Sequence, residues 1–251
     1  SGSPRNGNSQ FLLEQALDAA KQVNPDSVRC VEYSLRTKKI GPCLGCKRCS
    51  QLKGECTFKD DFQTLRNLWL QADVVIYSVP VYHMGIPGQL KCFIDRLGNS
   101  LFPRYRHLFN ASVLPKQLKT IGVVVQGMHL SAGQEHTATQ LINHALIMQC
   151  IPVTGDMWES YIGAAGWTSN DGDRQAMERQ AAAGNYDASI LVKSARDVGR
   201  RAVEMALLLR AGGLARMAEL SKDPIYLPFV ERLGGFSGVA EGDQVDADAH
   251  A

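Results

Sequence analysis

This chain of 251 residues lacks any apolar stretch long enough to cross a bilayer, and its opening residues lack the pattern of a secretory signal. It also lacks a dense run of Lys or Arg, and its net charge at pH 7 is only +2. We therefore expect no membrane partner, no nucleic-acid partner and a cytoplasmic location. Hydrophobic residues make up 45% of the chain, which is enough for a folded core without disulfides.

Histidines are few and show no metal-ligand spacing, whereas the seven cysteines are crowded. Four of them fall within fourteen residues, namely Cys43, Cys46, Cys49 and Cys56. Thiols this close cannot close independent loops as disulfides, so we expect a reducing compartment and a role as ligands or nucleophiles. Their spacing suits a [4Fe–4S] cluster or a tetrahedral zinc. Reduced thiols or a redox disulfide are the alternatives.

Short apolar runs alternate with helical patterns along the chain. The runs predict strands at 28–35, 74–80, 121–125 and 151–154, and the helical patterns fall at 9–22, 61–72, 87–97, 135–149 and 187–212. This alternation predicts a doubly wound parallel α/β sheet. In such folds a phosphate loop follows the central first strand. Because the polar, glycine-containing stretch here starts at residue 1, we expect a missing strand upstream and five strands in all.

Two loops are candidate ligand sites. Residues 1–10 combine Gly2 and Gly7 with short polar side chains and Arg5, directly before a helix whose N-terminus favours anions. Residues 80–91 follow a buried strand, so they lie at the sheet edge where α/β proteins bind ligands, and they offer soft contact surface for a flat ring. The alternatives are a simple helix cap and an ordinary strand-to-helix connection.

Taken together, the motifs resemble the NADPH-dependent FMN reductase family of flavodoxin-like proteins, and within it the iron–sulfur flavoproteins. The resemblance rests on Gly-Ser-Pro-Arg-x-Gly-Asn-Ser at 2–9, Cys-x-Gly-Cys-x-x-Cys at 43–49, Pro-Val-Tyr followed by Gln-Leu-Lys at 80–91, Gly-Gln-Glu at 133–135 and Tyr-Ile-Gly-Ala-Ala-Gly at 161–166. It covers roughly residues 1–210. It implies FMN as cofactor, NAD(P)H as co-substrate and, for the closer branch, a [4Fe–4S] cluster.

The resemblance also implies which residues contact FMN. The phosphate is expected at Ser3, Arg5, Asn8, Ser9 and the Gln10 backbone, with the polar side chain of Ser1 beside them. The ring and ribityl chain are expected at Pro80, Val81, Tyr82, His83, Met84 and Gly85, and the loop of Gln126, Gly127 and Met128 closes the other side. His83 is also a candidate proton donor to a reduced substrate, the alternative being a hydrogen-bonding wall of the pocket.

Three functions follow from this pattern. The first is an FMN-dependent NAD(P)H oxidoreductase that passes electrons through flavin N5 to a small-molecule or metal-centre acceptor. The second is an iron–sulfur flavoprotein that carries electrons from a ferredoxin-like donor. The third is a non-enzymatic redox or metal sensor built on the cysteine loop.

The sequence divides into a main domain and two C-terminal segments. Residues 1–210 form the FMN-binding domain, with the cysteine loop at 37–59 and an insert at 99–118. Residues 211–238 are amphipathic and are expected to contact another subunit of a homodimer or homotetramer, or else to pack on their own chain. Residues 239–251 have the composition of an acidic disordered tail.

Overall fold

A computed structural model describes residues 1–106 and 113–234. The helices are α1 (Asn8–Val23), α2 (Arg48–Gln51), α3 (Phe62–Gln71), α4 (Gly88–Tyr105), α5 (Gln134–Ile147), α6 (Ala176–Ala182), α7 (Tyr186–Ala215), α8 (Met217–Leu220) and α9 (Leu227–Leu233). The strands are β1 (Val74–Pro80), β2 (Thr120–Gly127), β3 (Ile151–Pro152) and β4 (Ala164–Trp167). Within the described ranges, no helix is both long and apolar enough to cross a membrane.

The strands form one parallel sheet, as predicted. β1 pairs with β2 along its whole length, while β3 pairs with the start of β2 and β4 with its end. On the other side of β1, the Gly2 amide donates to the Ser78 carbonyl at 2.8 Å and the Leu35 amide donates to the Ser1 carbonyl at 2.9 Å. Residues 1–2 therefore lie between β1 and residues 33–35, which is the strand order of flavodoxin-like sheets.

Two layers of helices cover the sheet. All eight residues of β2 are buried, as expected of a parallel strand that is covered on both faces. Leu12 of α1 and Val198 of α7 belong to the core on one face. Phe62 of α3 and Leu97 of α4 belong to the core on the other face, together with residues of α5. Both layers leave the carboxyl ends of β1 and β2 free for loops.

Several predicted elements differ from the structure. Residues 28–35 do not form a strand, so that prediction is wrong: among the described residues, the backbone of this segment pairs with the sheet only at Ser1, whose amino group donates to the Tyr33 carbonyl at 2.8 Å. The described residues form a four-stranded sheet, so the count of five is not confirmed. Strand β4 was not predicted, because Ala and Gly have low strand propensity.

The predicted insert at 99–118 is partly helical. Its first residues continue α4 without a break as far as Tyr105. Residues 107–112 lie outside the described residues, and 113–119 are irregular. The predicted tail at 239–251 also lies outside the described residues.

The C-terminal extension folds back on its own chain. Phe229 and Leu233 of α9 are buried, and both pack against Gly213 of α7. Arg232 donates to the Gln117 carbonyl at 2.6 Å and lies 3.3 Å from Asp73. These contacts match the alternative in which the extension covers its own domain. The contact with a second subunit stays a prediction.

Candidate functional site

A small pocket opens beside the N-terminus of α1, at the carboxyl ends of β1 and β2. The lining residues are Ser3, Arg5, Gly7, Asn8, Ser9, Pro80, Gln126 and Arg174. Six of the eight belong to the predicted set of FMN contacts. The helix begins after Gly7 with no side-chain cap, so its first-turn N–H groups have no side-chain acceptor. Such a helix start, flanked by two arginines, favours an anion.

The phosphate loop is held by the segment that follows β4. A Cβ atom on Gly7 would lie 2.8 Å from the Arg174 carbonyl oxygen, so only glycine lets the two segments approach this closely. The Asn8 side chain donates to the Asp173 carbonyl and accepts from the Met177 amide, both at 3.0 Å. Asn8 therefore ties the loop to its neighbour in this structure, in addition to lining the pocket.

Two other predicted phosphate contacts, Ser9 and Gln10, have bonds within the protein, and Ser1 lies outside the pocket. The Ser78 hydroxyl donates to the Ser9 carbonyl at 2.6 Å. The Gln10 amide donates to the Gly7 carbonyl at 2.8 Å, so the predicted use of the Gln10 backbone competes with a helix-start bond. Ser1 does not line the pocket; its hydroxyl is buried and has no hydrogen-bond partner among the described residues.

The loop after β1 contains a tight turn. The amides of Tyr82 and Gly85 each donate to the other's carbonyl, at 2.9 and 3.0 Å. His83 and Met84, between them, have φ values of 45° and 65°, a left-handed pair that non-glycine residues rarely adopt. The amide N–H groups of His83 and Met84 are not used by the two bonds of the turn. Strained turns of this kind are concentrated at ligand sites.

The loop after β2 lies directly against this turn. Gly133 has a φ of 96°, and a Cβ atom there would lie 2.7 Å from the Met84 Cα. The Val81 amide also donates to the Gln126 carbonyl at 2.9 Å. The structure thus brings the second and third predicted FMN loops together.

Among the large apolar side chains of these loops that are exposed to solvent, three have aromatic or thioether groups. Tyr82 is 41% exposed, Met84 is 54% exposed and Met128 is 43% exposed. An aromatic ring and two thioethers form soft contact surfaces for a planar, polarisable ligand. With the anion pocket beside them, these side chains fit a flat ring that carries a phosphate.

Polar side chains brace both loops from outside. Gln140 of α5 accepts from the Ile86 amide at 3.1 Å and lies 3.0 Å from His136 Nε2. His129 Nδ1 lies 2.6 Å from Asn170 Oδ1, which ties the loop after β2 to the loop after β4. His83 is exposed at the tip of its turn.

The cysteine loop lies against the middle of α4. Asn99 contacts two thiols: its side-chain Nδ2 donates to Cys43 Sγ at 3.6 Å, and its backbone carbonyl accepts from Cys49 Sγ at 3.1 Å. Cys56 Sγ accepts a hydrogen bond from Arg96 at 3.4 Å. Burial raises the pKa of the Cys49 thiol, and the neighbouring cysteines add to this rise.

No assembled metal site is found in residues 1–106 and 113–234: no three Cys, His, Asp or Glu side chains are placed to hold an ion. The predicted ligands Cys43, Cys46, Cys49 and Cys56 are all free thiols. Their thiol chemistry suits a cluster, and Cys43 and Cys56 each accept an N–H hydrogen bond. The four sulfur atoms are nevertheless not placed to bind one metal centre together.

Arg96 anchors the end of the cysteine loop. Arg96 is only 3% exposed, and its guanidinium donates to Asp60 at 2.6 Å and to the Phe58 carbonyl at 3.0 Å and covers the ring of Phe62. Burial acts against the charged form of Asp60, yet hydrogen bonds from Arg96 and from the Gly41 and Phe62 amides outweigh it. The pKa of Asp60 is therefore lowered.

Sequence reasoning missed Arg174. The signal for it was the carboxyl end of β4, since loops at that edge of a parallel sheet contact ligands. Because the sequence does not mark β4 as a strand, no local pattern places the loop after it at the ligand-binding edge.

Comparison with known sequences points to the same family that the motifs resemble. The profile of the NADPH-dependent FMN reductase family matches residues 1–160. An iron-sulfur flavoprotein of Methanocaldococcus jannaschii is 30% identical over 211 residues, which cover 84% of this chain and 96% of that protein. An iron-sulfur flavoprotein of Archaeoglobus fulgidus is 30% identical over 168 residues, or 67% of this chain and 80% of that protein.

Solved structures share the fold at low sequence identity. An azoreductase from Bacillus anthracis has a TM-score of 0.51 and 14% identity over 77% of this chain and 91% of its own. A flavone reductase has a TM-score of 0.52 and 18% identity over 81% of this chain, which covers 60% of that protein's length. The predicted flavodoxin-like fold is confirmed.

Proposed function

Because this chain belongs to the NADPH-dependent FMN reductase family, we propose that it takes electrons from NAD(P)H and passes them to a small-molecule or metal-centre acceptor. The observation that carries this proposal is the anion pocket at the start of α1, beside the exposed apolar side chains of the two neighbouring loops. Bound FMN supplies the redox chemistry, namely acceptance of a hydride and release of electrons.

The protein's part is to bind and orient the flavin. Arg5 and the first-turn N–H groups of α1 would hold the phosphate. Tyr82, Met84 and Met128 would hold the ring by contact with its flat surface. The amide N–H groups of His83 and Met84 are available to stabilise negative charge on a reduced ring. The exposed His83 side chain remains the proposed proton donor to a reduced substrate.

The test is anaerobic addition of NADPH, and separately NADH, to protein loaded with FMN. The expected result is loss of the oxidised-flavin absorbance with at least one of them, followed by recovery when a quinone is added. A flavin that is bound but reduced by neither would contradict the reductase assignment. It would favour the electron-carrier alternative.

A second proposal is that the cysteine loop holds a [4Fe–4S] cluster. The four-cysteine spacing, the hydrogen bonds that Cys43 and Cys56 receive and the nearby Arg96 support it. So does the name of the relatives that are 30% identical to this chain. Because the thiols are not assembled in the described residues, the loop must rearrange around the cluster.

Anaerobic purification followed by metal and sulfide analysis tests the cluster. We expect about four irons and about four sulfides per chain, and loss of most of both in a Cys46→Ser variant. Cys30→Ser is the matched control, because Cys30 is also exposed but lies outside the loop. Iron-free protein after anaerobic isolation and attempted reconstitution would eliminate the cluster and leave a thiol loop.

A further inference from the structure

We infer that Arg174 is the second cation on the flavin phosphate. The family resemblance assigns that anion to residues 1–10, whereas Arg174 comes from the loop between β4 and α6. It lines the same pocket as Arg5. The inference rests on the proposed function, because it requires the pocket to hold the phosphate of FMN.

Charge pairing leaves Arg174 available for an anion. The acidic side chains of its own loop are satisfied by another arginine: Arg179 lies within ion-pair distance of Asp171 and 3.5 Å from Asp173. Among the described residues, neither Arg5 nor Arg174 has a carboxylate within 4.0 Å. Two unpaired guanidinium groups at one pocket complement a phosphate that carries close to two negative charges.

The backbone on both sides of Arg174 is fixed to the phosphate loop. Asn8 accepts from the Met177 amide and donates to the Asp173 carbonyl. The Gly7 contact lies at Arg174 itself, since a Cβ atom on Gly7 would meet both the carbonyl oxygen and the Cβ of Arg174. The side chain therefore starts from a position that the phosphate loop determines, which lowers the cost of ordering it around a ligand.

This arrangement divides the phosphate contact between two segments far apart in the sequence. One guanidinium comes from the loop before α1 and the other from the loop after β4. The phosphate of FMN contacts both guanidinium groups, whereas riboflavin, which has no phosphate, contacts neither. Arg174 therefore increases the preference for FMN over riboflavin.

The test is a fluorescence titration of the flavin-free full-length chain with FMN and with riboflavin. In Arg174→Met we expect FMN affinity to fall about tenfold, as for the loss of one charge-assisted hydrogen bond, while riboflavin affinity stays within about twofold. FMN binding in the variant should also depend less steeply on ionic strength. Arg174→Lys keeps the charge but loses the fork geometry, so its FMN affinity should be intermediate.

Lys222→Met is the control for loss of a positive charge, since Lys222 is exposed and lies between α8 and α9. It should leave both affinities unchanged. An Arg174→Met variant with wild-type FMN affinity would overturn the inference, and so would an equal loss of FMN and riboflavin, which indicates a damaged loop. If the wild-type chain does not prefer FMN to riboflavin, the phosphate pocket and the proposed function fail together.

Discussion

Replacing Gly7 with Ala is expected to weaken FMN binding by at least about 100-fold, or about 2.7 kcal/mol. The added Cβ would lie 2.8 Å from the Arg174 carbonyl oxygen and 3.2 Å from its Cβ. Backbone atoms cannot move aside as a flexible side chain can, so the two loops that line the pocket must separate. Gly7 has a φ of 176°, which any residue adopts, so the effect is steric. Ala is also a poorer N-cap than Gly.

Titration of the flavin-free variant with FMN measures this effect. Gly172→Ala is the matched control, because Gly172 lies in the same neighbouring segment and its Cβ would make only an ordinary contact, 3.8 Å from the Met128 sulfur. The control should bind FMN with nearly wild-type affinity. Wild-type affinity in Gly7→Ala itself would mean that the close approach of the two loops does not shape the ligand site.

Replacing Gly199 with Ala is expected to destabilise the whole domain by about 3 kcal/mol. The added Cβ would lie 2.0 Å from the Ala16 carbonyl oxygen, in the contact between α1 and α7. The helices must move apart, and buried residues such as Leu12 and Val198 lose contact. Because α1 begins at the anion pocket, FMN affinity should fall as well.

Urea unfolding of the variant measures the loss of stability. Gly212→Ala is the matched control in the same helix, because its Cβ would meet nothing within 4 Å. That variant should gain about 0.5–1 kcal/mol from helix propensity alone. If the Gly199→Ala variant were as stable as Gly212→Ala, the close packing of α1 on α7 would not stabilise the domain as described.

The fold was predictable where burial dictates the sequence. β1 and β2 are covered on both faces, so they consist of nearly unbroken apolar residues that stand out in the chain. β4 lies at the edge and is built from Ala-Ala-Gly-Trp, a composition that does not mark a strand. The 28–35 segment has the composition of a strand, but it makes ladder bonds only to Ser1.

The sequence was sufficient to predict which loops form the candidate site, but not the long-range contacts that join them. Local motifs placed the phosphate loop and the turn after β1, because these contacts come from residues close together in sequence. Arg174 lines the pocket with phosphate-loop residues more than 160 positions away in the sequence, and the bonds from Asn8 to Asp173 and Met177 span a similar separation. No local pattern specifies such contacts. The cysteine spacing indicated a cluster of thiols, and the bonds from Asn99 and Arg96 appear only in the fold.

Reduction of the bound flavin by a nicotinamide tests the proposed function most directly. The measurement is the flavin absorbance of FMN-loaded protein during anaerobic titration with NADPH and with NADH. We predict stoichiometric binding of FMN and bleaching of its absorbance by at least one nicotinamide. A chain that binds no FMN, or whose bound FMN remains oxidised with both nicotinamides, would contradict the proposal.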